Sequence, residues 1–249
     1  MSAARPRVST DSEMDFGERV ARFLTTLKLD VDLPEGFEVL DPYRDAEVRR
    51  VVREFCGRYY ASGHARIGVW GINPGRFGAG VTGLSFTDPV SLSDQLGIAT
   101  SIGGRRELSA EFIGMVIDAY GGPQRWYHDV FLSALSPLGF VRDGVNINFY
   151  DDRTLERNIV PFVLDGQRAM IEAGVAKSGC VILGSGKLKS FVQRYVQPVI
   201  GYDDVHYLDH PRFIMQYRRK QVTSYVERYV TTIRGLVEKT FLHERASAS

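Results

Sequence analysis

Two stretches of the chain bring together residue types that can do chemistry. The first runs Gly71-Ile72-Asn73-Pro74-Gly75-Arg76-Phe77-Gly78-Ala79-Gly80-Val81-Thr82-Gly83-Leu84-Ser85-Phe86. Its glycines let backbone approach a ligand closely, while Pro74 stiffens the turn and disfavours a helical conformation at Asn73. The loop is therefore a rigid cradle carrying one amide. Gly78, Gly80 and Gly83 also satisfy G-x-G-x-x-G, so a dinucleotide site has to be weighed. The fit is poor: that fingerprint opens a helix directly after its strand, whereas here Asn-Pro intervenes and Ser85-Phe86-Thr87-Asp88-Pro89 follows. The second stretch, Leu208-Asp209-His210-Pro211-Arg212-Phe213, offers an imidazole. It can act on a substrate, or simply bond to backbone as a structural histidine.

Other candidates are weaker. Gly184-Ser185-Gly186-Lys187 is like a phosphate loop, but Leu188 stands where Ser or Thr should hold magnesium and Val181 takes the first glycine position. Its N–H groups, at a helix N-terminus, still suit a phosphate. His206 precedes His210 by four residues, a spacing that does not set two rings side by side in a strand. His64, His128 and His243 show no ligand spacing, so no metal is expected. Cys56 and Cys180 form no close pair and read as buried thiols.

The elements that must position these residues alternate along the chain. Phe16, Val20, Phe23 and Leu27 recur at helical spacing, and a second helical stretch runs from about Arg44 to Tyr60. Residues 66–72 then form a short apolar run that ends in Asn73-Pro74-Gly75, a buried strand delivered into a loop. The pattern repeats: residues 130–135 run into Ser136-Pro137-Leu138-Gly139, residues 180–183 into Gly184-Ser185-Gly186, and residues 205–208 into Asp209-His210-Pro211. Helical periodicity around 110–120, 155–173 and 187–196 separates them. Four strands with helices between predict an α/β fold, a mostly parallel sheet covered on both faces. Ligands in such sheets bind beyond the carboxyl ends of the strands, so all four loops should meet at one rim.

Composition sets the limits. The chain has 249 residues, 44% hydrophobic and 24% charged, which suits one large domain over residues 12–240, with polar arms at 1–11 and 241–249. No apolar run is long enough to span a membrane and no signal-peptide core is present, so a cytoplasmic protein without a membrane partner is expected. A net charge of +1 supplies no global basic excess, and any DNA contact must be local. The densest positive cluster is Arg212, Arg218, Arg219 and Lys220, which also reads as a solvated helix start.

Gly71-Ile72-Asn73-Pro74-Gly75 together with His210-Pro211 at the fourth strand resembles motifs one and two of the uracil-DNA glycosylase superfamily. The run through Thr82-Gly83-Leu84-Ser85-Phe86 and the Ser136-Pro137-Leu138 loop are most similar to its single-strand-selective monofunctional family. Residues 73–83, Ala119-Tyr120-Gly121-Gly122-Pro123 and His210-Pro211-Arg212-Phe213 resemble a second, bacterial subgroup of that family, and the similarity extends from about Leu40 to Tyr229.

The resemblance implies a three-layer α/β/α sandwich with a central four-stranded, mostly parallel sheet, whose loops hold a flipped nucleotide. Carried over by motif, Asn73 would position the attacking water and His210 would stabilise the departing base. Phe86 would stack on that base. Gly71, Ile72, Gly75 and Phe77, with Ser133 and Ala134 of the third loop, would line its pocket. Arg212, Phe213 and Met215 are candidates for the wedge that replaces it in the duplex, with Arg218 and Arg219 near phosphates; Ser185, Gly186 and Lys187 match a phosphate loop only loosely. No lysine occupies either catalytic position, so hydrolysis without a Schiff base, and without a cofactor, is implied. The partner is DNA, single- or double-stranded, containing a damaged base, and a monomer is expected. Two separated cysteines cannot supply the four ligands of the superfamily's iron–sulfur branches.

One departure bears on substrate. The family's better-known members carry a base-reading asparagine three residues before the Pro-Leu of the third loop. Here that position is Ala134, after Ser133. A hydroxyl offers less than an amide, so the target could be uracil or another deaminated base such as xanthine. A module that binds DNA or a nucleotide without cleaving it is the alternative reading.

Overall fold

The computed structural model of the protein describes residues 14–247. The expected arm at 1–11 lies outside them. Among the described residues, α1 (Phe16–Thr25) opens on a capping box, with the Asp15 carboxylate accepting from the Glu18 N–H at 2.8 Å and Glu18 accepting from the Asp15 N–H at 2.9 Å. Then follow β1 (Phe37–Leu40), α2 (Ala46–Tyr59), β2 (Arg66–Gly71), α3 (Ala79–Thr82), α4 (Pro89–Asp94), α5 (Leu108–Tyr120) and α6 (Pro123–Asp129). Next come β3 (Val130–Ala134), β4 (Gly139–Arg142), β5 (Val145–Ile147), α7 (Arg153–Asn158), α8 (Val160–Ala173) and β6 (Val175–Leu183). The chain closes with α9 (Lys187–Phe191), α10 (Gln197–Ile200), β7 (Val205–Leu208), α11 (Pro211–Tyr217) and α12 (Val222–Ser247).

Four strands form a parallel sheet in the order β3-β2-β6-β7. The α/β reading is met, and every predicted strand is present. β2 is buried along its whole length, as a central parallel strand between two helix layers must be. The layers are α1, α2 and α8 on one face, where Phe16 packs edge-on against Tyr60 and Phe131, and α5 and α12 on the other, where Phe112 meets Tyr229. One contiguous apolar core runs through all three layers. Both thiols are free and buried, and burial pushes both up in pKa.

Three features depart from the expectation. The first is a second, antiparallel sheet in the order β1-β4-β5. Its hairpin turns through Asp143 and Gly144, both at positive φ (50° and 71°), the geometry that lets a two-residue loop follow the right-handed twist of its strands. The second is the tail from 241, which was expected as an arm but continues α12 to Ser247. Once a helix is nucleated, each added residue contributes a hydrogen bond for little further ordering, so polar composition alone does not stop it. The third is Arg66, which begins β2 and is wholly buried, with its guanidinium held mainly by backbone carbonyls. Its guanidinium donates to the carbonyls of Tyr127, Ser62 and His64 and to the Ser62 hydroxyl, and lies 4.4 Å from the Phe16 ring centre.

Candidate active site

Because β2, β3, β6 and β7 are parallel, their carboxyl ends share one edge, and the four loops do converge there. Strand register fixes how. Gly71 pairs with Ala134 and Leu183 with Leu208, and the lacing continues past the strands as Leu135 and Ser136 donate to the carbonyls of Gly71 and Ile72. β2 and β7 are separated by β6, so the residues just beyond their tips stand roughly 10 Å apart. A cavity of about 100 Å³ fills that gap. Asn73 and His210 both line it, together with Gly71, Ile72, Gly75, Phe86, Ala134 and Arg212.

The orientation of the Asn73 amide is fixed by its partners. Nδ2 donates to the carbonyls of Ile147 (3.2 Å) and Pro74 (3.3 Å), and Oδ1 accepts from the Phe149 N–H at 3.1 Å. Carbonyls only accept and that N–H only donates, so the amide cannot be turned over without losing all three bonds. Oδ1 keeps one lone pair for a water. The second sheet thus has a purpose that its sequence does not advertise: its hairpin clamps the loop after β2.

His210 stands at the N-cap of α11, where Nδ1 accepts from the Arg212 N–H at 3.2 Å and Pro211 occupies the first helical position. A neutral ring so held carries its proton on Nε2, which is then a donor. Burial, with the Arg212 charge as a lesser cause, lowers its pKa to about 4. The Phe86 ring lies 6.0 Å from the His210 ring, centre to centre. Phe86 has φ +54°, a left-handed conformation costly for a large side chain. Thr82 braces this turn: its hydroxyl donates to the Thr87 carbonyl at 2.7 Å and accepts from the Leu84 N–H at 3.2 Å. Gly71 makes room for the ring, since a Cβ there would sit 2.7 Å from its Cζ.

The glycines of the apparent dinucleotide fingerprint have other reasons. A Cβ on Gly80 would lie 2.6 Å from the Gly75 carbonyl oxygen, and one on Gly78 would lie 2.6 Å from Glu107 Oε2. They allow close packing within the loop and against its neighbours.

The remaining expected residues divide. The cavity opens into a cleft of about 910 Å³, along which Phe77, Ser185, Arg212 and Phe213 lie. Phe77 is thus at the mouth and not in the base cavity, 47% exposed and with the Arg105 guanidinium 4.1 Å from its ring centre. Ser133 falls on the opposite face of β3, beside Cys56 and Tyr60, because successive strand side chains alternate. Met215 is buried beside Ile214 and cannot serve as a wedge. Its neighbour Phe213 is exposed and packs on Tyr217 one turn later, at 5.5 Å between ring centres. Gly186 and Lys187 do not line the cleft, and Lys187 is paired with Asp151 at 2.9 Å. Arg218 lies over the Phe213 ring at 5.4 Å, while Arg219 pairs with Glu111 at 3.5 Å.

Several lining residues lie outside the two motifs or were not expected at the site. Glu107, Ser109, Ser85, Asn146 and Asn148 all border the cavity, and Arg105, Tyr150 and Tyr217 the cleft. The Asp-Gly turn that delivers the two asparagines is a readable hairpin signal. Nothing local marks Glu107. Among the described residues, no group of three acidic, His or Cys side chains is arranged to hold a metal, and no helix is long and apolar enough to cross a membrane.

No family model and no curated protein matches the chain. Among solved structures, it is similar to the crystal structure of wild-type SMUG2 from Pedobacter heparinus, with a TM-score of 0.86 and 32% identity over 90% of this chain and 98% of that one. A likeness of that identity over nearly all of both chains is one of family, and the chain belongs to the SMUG2 family of the uracil-DNA glycosylase superfamily.

Proposed function

We propose that the protein is a monofunctional DNA glycosylase that hydrolyses the bond between uracil, or another deaminated base, and its deoxyribose. The observation that carries this reading is the pairing of a clamped amide and a neutral imidazole donor at the tips of β2 and β7, on one cavity that Phe86 also lines. Cleavage of the bond leaves an oxocarbenium-like sugar and an anionic base, so a positioned water and a directed donor lower the barrier where charge develops. Asn73 Oδ1 orients the water and His210 Nε2 donates to the departing base. Extruding that base from a duplex costs a few kcal/mol of stacking and pairing, and the exposed Phe213 and Tyr217 are the side chains able to offset it. Without an attacking lysine the abasic strand stays intact.

The test is a labelled uracil oligonucleotide incubated with the protein and then treated with alkali. Strand breaks only after alkali are expected, and Asn73→Ala should slow their appearance by roughly a hundredfold or more under single turnover. Undiminished cleavage by that variant would remove Asn73 from the chemistry. A second reading is favoured by Ala134, which cannot bond to a base: the protein binds DNA without cleaving it, and would then retard the oligonucleotide and yield no breaks.

A further inference from the structure

We propose that Glu107 reads the imide edge of the flipped base, supplying from the start of α5 the recognition that Ala134 cannot make; this rests on the base-cavity reading above. Glu107 borders both the cavity and the cleft, and it is the one carboxylic acid among the described residues lining the cavity. It stands at the N-cap of α5, yet its side chain caps nothing. Its backbone is fixed instead: the Glu107 N–H donates to Asp88 Oδ2 at 2.7 Å, and the fully buried Asp88 is itself tied to the Ser91 N–H at 2.8 Å. Gly78 leaves the space its carboxyl fills. The result is a held acid, not a mobile surface glutamate.

Of the competing polar groups, Asn73 has its three bonds, His210 Nδ1 is used by α11 and Asn148 Nδ2 donates to Asp151 at 3.0 Å, whereas Asn146, whose Nδ2 reaches the Pro74 carbonyl at 3.5 Å, has a buried Oδ1 that can only accept and so lacks the acceptor-donor fork. An imide presents an N–H beside a carbonyl. A neutral carboxyl offers an acceptor and an O–H donor on adjacent atoms, the same fork that an amide offers. Burial raises the Glu107 pKa and so favours the neutral form; the Ser109 hydroxyl and the Arg212 charge on α11 oppose this, and Asp88 adds to it. Arg76, Arg105, Arg106, Tyr150, Asp209, His210 and Tyr217 are the other titratable groups of the same cleft.

The experiment compares binding of two oligonucleotides by fluorescence anisotropy, one carrying uncleavable 2′-fluoro-2′-deoxyuridine and one its N3-methyl analogue. The wild type is expected to prefer the first by roughly tenfold or more, because the methyl removes the donor that Glu107 meets. Glu107→Ala should bind both nearly alike, whereas Glu107→Gln, which keeps the fork, should retain most of the preference. Overturning results are no preference in the wild type, an unchanged preference in Glu107→Ala, or loss of preference in Glu107→Gln with the protein still folded. The alkali assay runs beside it and separates the two claims. Cleavage with an unchanged preference in Glu107→Ala rejects the reader alone, and the expected binding pattern without cleavage rejects the glycosylase alone.

Discussion

At the scale of single residues, the protonation of His210 decides how the site responds to pH. Its Nδ1 accepts from backbone, so a second proton on the ring has to displace the Arg212 N–H as well as bring charge into a half-buried, poorly solvated place. With a folded pKa of about 4 against an ordinary 6.5, the unfolded chain takes up a proton in that window that the folded chain refuses. Stability linked to this group is therefore complete above pH 6.5 and is lost as pH falls toward about 4. Catalysis should follow the same group. Single-turnover base release is expected to be level with respect to His210 from about pH 6 to about pH 8 and to decline only nearer pH 4. An inflection at 6.5 that vanishes in His210→Asn would show a ring that charges normally, and a neutral donor would be the wrong description.

At the scale of elements, what the chain makes legible is periodicity. Residues 66–72 and 205–208 read as strands because each is a short apolar run broken by Pro, and the Asn73 and His210 loops then follow as strand-end loops. The three-residue β5, with an asparagine at its centre, has no such pattern, so the hairpin that holds Asn73 went unread although its Asp-Gly turn is a strong signal. Ser133 and Ala134 show a different limit: one residue of offset sends a strand side chain to the other face, and motif alignment does not resolve that. Arg66 reads in sequence as the polar start of a strand, yet it ties β2 to the residues just after α2 and to the end of α6. Lysine has one point donor group where arginine has a planar fork, so Arg66→Lys should strand buried carbonyls. A loss of about 2 kcal/mol in urea unfolding, with the denaturant slope unchanged, is expected. A change within about 0.5 kcal/mol would mean that those carbonyls find water or new partners.

At the scale of the whole molecule, the near-neutral charge and a DNA substrate are compatible only if positive charge is concentrated where the strand lies. The cleft concentrates it: Arg76, Arg105, Arg106 and Arg212 border it, with Arg218 on the exposed Phe213 side, although Arg106 is paired with Asp94 at 2.9 Å. Phe77 and Tyr217 stand exposed along the same cleft, rings on which bases beside an extruded one would stack if the proposed function holds. Neutralising about three to four phosphates of a single strand gives a plot of log affinity against log salt with a slope of roughly −2 to −3. Arg105→Ala should flatten that slope by about 0.7 and also free the Phe77 ring that its guanidinium covers, whereas Arg219→Ala, whose charge is already met by Glu111, should leave it nearly unchanged. Anisotropy titrations of one oligonucleotide across a salt series would measure both. A slope near zero in the wild type, or equal effects of the two substitutions, would place the strand somewhere other than this cleft.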